Sequence, residues 1–137
     1  MANLLNLSTP AGIVLGVVAG CDFHRGRRGL VLATGYSLST PDVPAFTIGN
    51  VVLTPHDLAH LEERPGLLRH EERHATQYAW CLGLPLLPLY VAASAWSYAR
   101  GGDFAVHNVF ERRAGLADGG YPVVSARARQ REHAAAS

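Results

Sequence analysis

Between Pro65-Gly66 and Gly83 the chain has room for one helix of about five turns, and what that helix carries constrains everything around it. Proline at the first position and glycine just past the last are the usual marks of a helix start and stop. The segment includes "LLRHEERHATQY", residues 67–78, with His70 and His74 four apart and Glu71 directly after the first histidine. Residues four apart project from one face of a helix, so the two imidazoles can grip a single ion. Imidazole pairs suit Zn²⁺, which lowers the pKa of water towards about 7. Glu71 flanks the same face and is placed to accept a proton as that water attacks a carbonyl. Glu72 and Arg73 should face away. The core side is expected at Leu67, Leu68, Ala75, Tyr78, Ala79 and Leu82. The same spacing also fits a solvated histidine pair on a charged surface helix.

A catalytic zinc site takes three protein ligands and leaves one position open. The first candidate for the third is Glu111, in "HNVFERRAG", on a helix predicted over residues 104–117. His107 and Asn108 precede it by one turn and should share its face, and Ala114 is small enough for a close helix approach. Asp103, Asp118 and His107 are competing ligands, and Glu111 could instead be an exposed carboxylate paired with Arg112 or Arg113. An oxyanion formed by attack on a carbonyl also needs a hydrogen-bond donor. His107 is the first choice, with Tyr78, Tyr90, Tyr98 and Tyr121 behind it.

The 137 residues suit one domain with a real core, and the 48% hydrophobic content fits a globular protein. We expect a single domain over 1–124, β-rich over 1–54 and helical over 55–117, with 125–137 a frayed tail. The formal net charge of +1 provides no strong field for nucleic acid. Every basic residue is arginine, which excludes lysine chemistry. Cys21 and Cys81 are too few for a disulfide framework and read as buried thiols in a reducing, cytoplasmic setting. Two features pull towards a membrane-associated or secreted alternative. "VAGC" (Val18 to Cys21) is similar to a lipoprotein cleavage site, and Cys81 to Ala99 is uncharged. Pro85 and Pro88 break the latter segment, so a buried turn and helix is the favoured reading.

Short β-branched runs at Ile13–Val18 and Leu30–Ala33 read as strands. Gly49-Asn50 in "AFTIGNVVLTP" reads as a hairpin turn or a bulged strand. Thr54-Pro55 looks like an N-cap and first helical residue, leading a short helix through Leu58 and Leu61 that ends near Pro65. A further helix is expected over about Leu89–Arg100. His56 and His60 are also four apart, but lack an adjacent glutamate and read as a solvated pair.

HExxH followed by a helix with E-x-x-A resembles the gluzincin metallopeptidases, in which that glutamate is the third zinc ligand. More narrowly, Thr47, Gly49 and Asn50, then Leu67, His70, Glu71, His74 and Gln77, resemble the small metallopeptidase-like domain associated with bacterial extracellular contractile injection systems. The resemblance covers roughly residues 45–115. It implies an α+β, zincin-like fold, with a small sheet laid over the metal helix, Zn²⁺ on His70, His74 and Glu111, and a peptide or protein substrate. In zincins a strand beside the metal helix pairs with extended substrate, which here points to Thr47, Ile48, Gly49 and Asn50. The chain departs from the pattern in its charged pair Glu72-Arg73 and in Gly115, where gluzincins often carry an acidic residue.

Overall fold

Val51, Val52 and Leu53 are all fully buried, so the strand they form is covered on both faces. This strand, β4 (Val51–Leu53), lies inside a four-stranded mixed sheet with β1 (Asp22–Arg25), β2 (Val31–Thr34) and β3 (Phe46–Ile48), in the order β1-β2-β4-β3. β1 and β3 run antiparallel to their neighbours, whereas β2 and β4 are parallel. Strand residues alternate between faces, and the core splits accordingly. Val51 and Leu53 join Ala19, Ala33 and Tyr36 on one side. Val52 joins Leu32, Leu61, Leu67 and Ala75 on the other.

The computed structural model describes residues 2–38 and 43–135. It is an α+β fold that divides into two compact units, Met1–Leu86 and Leu87–Ser137, where the sequence reads as one domain. In the first unit, helices α1 (Ala2–Leu5) and α2 (Ser8–Val18) precede the sheet, and α3 (Leu58–Glu62) and α4 (Pro65–Trp80) follow it. The expected strand at Ile13–Val18 is part of α2. A short apolar run cannot be told from a buried helix by periodicity, and here Gly12 and Gly16 decide the matter. A Cβ at Gly12 would lie 2.6 Å from the Ile48 carbonyl oxygen, and one at Gly16 would lie 2.7 Å from the Phe23 ring. The small residues let α2 lie directly on the sheet.

The hairpin stands as expected, with β3 and β4 paired antiparallel across Gly49-Asn50. Gly49 has φ +63°, and Asn50 is not left-handed, so glycine holds the first central position as in a type II′ turn. Asp57, rather than Thr54, caps α3: its side chain accepts from the His60 N–H at 2.9 Å. Thr54 is buried and donates to the Pro44 carbonyl at 2.7 Å instead. Helix α4 ends three residues before Gly83. Leu82 takes the left-handed position (φ 57°), and the Gly83 N–H closes the helix onto the Tyr78 carbonyl at 2.7 Å. Leu82 is therefore exposed rather than part of the core stripe.

The second unit holds α5 (Leu86–Gly101), α6 (Val109–Ala114) and α7 (Ala126–Ala135). Pro88 falls in the first turn of α5, where a missing N–H costs nothing. α6 is shorter than the helix expected over 104–117, because Asp103 diverts the chain before it. The Asp103 Oδ1 accepts from the N–H groups of Ala105 and Val106, and its Oδ2 from Ala126. The segment expected to fray from Ser125 is helical as α7, with the Ser125 hydroxyl accepting from the Ala128 N–H at 3.3 Å. Its alanine, arginine and glutamine residues are good helix formers even without an apolar stripe. Among the described residues, no helix is long and apolar enough to cross a membrane.

Candidate metal centre

The inward stripe of α4 is Leu67, His70, Glu71, His74, Ala75 and Tyr78, all buried. These positions recur at the three- and four-residue spacing of one helix face. Three ionisable side chains thus occupy positions that a structural helix would fill with leucine or alanine. His70 is 1% exposed, Glu71 3% and His74 8%, which rules out the solvated pair. Glu72 points outward to Arg28, at 2.9 Å, as expected for the intervening positions.

The two imidazoles present the same atom to each other, with the Nε2 atoms 3.0 Å apart. Two nitrogens about 2.0–2.1 Å from one tetrahedral ion sit about 3.3 Å apart, so little movement would admit zinc between them. The Gln77 side-chain carbonyl lies 2.9 Å from His74 Nδ1. A carbonyl oxygen only accepts, so this contact takes an N–H at His74 Nδ1 and turns Nε2 towards His70. Ligation by both rings requires His70 in the matching Nδ1–H tautomer. Gln77 is thus an orienting partner of His74. The signal was present in the three-residue spacing of His74 and Gln77 on one helix.

Glu71 is held from the sheet. The Thr47 hydroxyl donates to Glu71 Oε2 at 2.7 Å. The register pairs Thr47 with Val52, whose side chain is on the α4 face, so strand alternation alone aims Thr47 at this helix. Asn50 is committed elsewhere. Its N–H donates to the Thr9 hydroxyl at 3.0 Å, and its side-chain oxygen accepts from Asn3 at 2.7 Å. Asn3 also donates to the Ala75 carbonyl at 2.7 Å, tying α1 to α4 one residue after His74. No sequence signal pointed to Asn3.

No family model, curated protein or solved structure matches this chain.

In the second unit, Glu111 is 1% exposed on α6 and Ala114 is fully buried, so the exposed pairing with Arg112 or Arg113 does not describe it. The Tyr90 hydroxyl of α5 donates to Glu111 Oε1. The Asn108 side chain caps α6 by accepting from the Phe110 N–H at 2.9 Å, and its amide donates to the Ser94 hydroxyl at 2.9 Å. The helix that carries the carboxylate is therefore pinned to α5 at its first turn. His107 precedes α6 and does not share a helical face with Glu111. Its backbone N–H donates to Ser97, and its ring lies over Gly101, where an added Cβ would sit 2.8 Å from it. Asp103 is consumed by its loop. Among the described residues, His70 and His74 in the first unit and Glu111 in the second are buried donors of the kind a metal takes.

Proposed function

We propose that this chain is a zinc-dependent peptidase of zincin-like fold, in which His70, His74 and Glu111 hold the ion and Glu71 acts as general base. The observation that carries the reading is the facing pair of Nε2 atoms, 3.0 Å apart on a buried helix stripe, with a carboxylate between them in sequence. Two buried imidazoles and a buried carboxylate form a nitrogen and oxygen donor set that suits a divalent cation such as zinc. Zinc in such a site polarises a carbonyl and brings the pKa of water towards about 7. The chain's own groups supply the rest. Gln77 fixes the tautomer of His74, Thr47 holds Glu71, and Glu71 takes the proton from the attacking water and returns it to the leaving amine. Tyr90 orients Glu111. Peptide or protein is the substrate class, and the edge strand β3 is the surface that would pair with an extended chain.

The test has two stages. Elemental analysis should find one zinc per wild-type chain and well below one in His70→Ala, His74→Ala and Glu111→Ala. Full stoichiometry in Glu111→Ala would move the third ligand elsewhere. Glu71→Gln should keep its zinc and lose cleavage of fluorescein-labelled casein. Zinc-loaded wild type that cleaves no faster than Glu71→Gln would make the domain a metal-binding module without turnover.

A further inference from the structure

We infer that Thr47 is a positioning residue for Glu71, holding the carboxylate of the general base from the edge strand of the sheet. The inference rests on the reading of Glu71 as proton acceptor. Glutamate has three side-chain torsions between backbone and carboxylate, so burial against α4 alone does not fix where its oxygens sit. A partner that restrains them comes from another element, 24 residues earlier in the chain, and it contacts the carboxylate itself.

The hydroxyl has one proton and two acceptors within reach, the Glu71 backbone carbonyl at 3.4 Å and the carboxylate Oε2 at 2.7 Å. The shorter contact is in the range of a charge-assisted O–H···O⁻ bond, so the hydroxyl donates to the carboxylate. Thr47 is itself 9% exposed and on the central position of a three-residue strand whose neighbours Phe46 and Ile48 pack on the opposite face. β-branching leaves threonine a restricted choice of χ1, so the hydroxyl is presented by a stiff side chain on hydrogen-bonded backbone. Because β3 is an edge strand, this one residue also joins the carboxylate to the strand assigned to substrate. Thr47 therefore acts through Glu71 rather than by touching substrate with its side chain.

Thr47→Val keeps the shape and removes the donor, whereas Thr47→Ser keeps the donor. With fluorescein-labelled casein, zinc-loaded Thr47→Val should lose about 10- to 100-fold in kcat with KM and zinc content unchanged, the scale expected for a misplaced catalytic group. Thr47→Ser should recover most of that loss. Equal turnover by Thr47→Val and wild type, or equal damage in Thr47→Ser and Thr47→Val, would overturn the inference. A crystal structure of Thr47→Val supplies a readout that needs no turnover: the Glu71 carboxylate should leave its wild-type position. A carboxylate that stays in place overturns the inference even if wild type cleaves nothing, the outcome that would separately sink the peptidase reading. If Thr47→Val does not fold, Thr47→Cys, close in size and a weak donor, serves in both measurements.

Discussion

Gln77 accepts from Nδ1 of His74 at 2.9 Å, one helical turn along α4, and so decides which nitrogen of that ring is left to bind. A ligand histidine without such a partner samples both tautomers and several ring angles. Losing the partner typically costs a metal site about 10- to 100-fold in affinity. Gln77→Leu should weaken zinc binding by that factor in competition with a chromophoric chelator. Gln77→Glu, which keeps the acceptor and adds charge, should not. Equal affinities for all three proteins would assign the orientation of His74 to another group.

α6 has six residues and depends on its cap. Asn108 is fully buried and bonds in two directions, to the Phe110 N–H and to Ser94. Asn108→Ala removes an N-cap, worth about 1 kcal/mol, and leaves the Ser94 hydroxyl without its donor. We expect a loss of about 1–2 kcal/mol in urea unfolding, with a smaller loss for Asn108→Asp, which retains the capping oxygen. The same variant should release zinc more readily, since the helix that carries Glu111 would fray from its first turn.

The parts of this architecture that local chemistry dictates were legible in the chain. α4 lies between a proline and a glycine, its polar stripe repeats at helical spacing, and Gly49-Asn50 marks the hairpin. Spacing put His70 and His74 on one helix face, and only the packing of α4 shows that face to be buried rather than solvated. What failed was set by tertiary contact. α2 looks like a strand because its Ile, Val and Leu residues are strand formers, and only the sheet beneath Gly12 and Gly16 explains the helix. α6 is shorter than the local pattern implies because nothing local shows Asp103 collecting three N–H groups from two segments. Thr47 and Asn50 looked like one substrate-binding motif, yet their side chains serve different ends. Thr47 lies on β3 and faces α4, whereas Asn50 lies in the turn beyond it and bonds Thr9 and Asn3.

The turn between β3 and β4 is pressed against the start of α2. A Cβ at Gly49 would meet the Thr9 nitrogen at 2.3 Å, and φ +63° already disfavours any side chain. Gly49→Ala should therefore cost more than the ~1–2 kcal/mol of a left-handed residue alone. Asn3→Ala should cost about 1–3 kcal/mol, because the buried Ala75 carbonyl loses a 2.7 Å bond. Thermal unfolding measures both. If α1 unlatches locally, amide exchange should quicken first in α1 and the hairpin turn.

His56 and His60 stack with ring centroids 3.8 Å apart and 15° between planes, and His60 Nε2 is buried without a hydrogen-bond partner. Burial first, and then the neighbouring His56 and Arg64, hold His60 below its ordinary pKa of 6.5, outweighing Asp57 and Glu63. The sign follows from which state binds the proton more readily. Below 6.5 the unfolded chain takes it while the folded chain resists, so the contribution of His60 is present above that pH and is lost as pH falls through it. The urea midpoint of wild type should drop between about pH 7.5 and pH 5.5 by more than that of His60→Gln, in which the Asp57 cap on the residue-60 N–H remains. Any contribution from His70 and His74 is common to both proteins and cancels in the difference. Parallel pH profiles would show that His60 takes up its proton in the folded state without resistance.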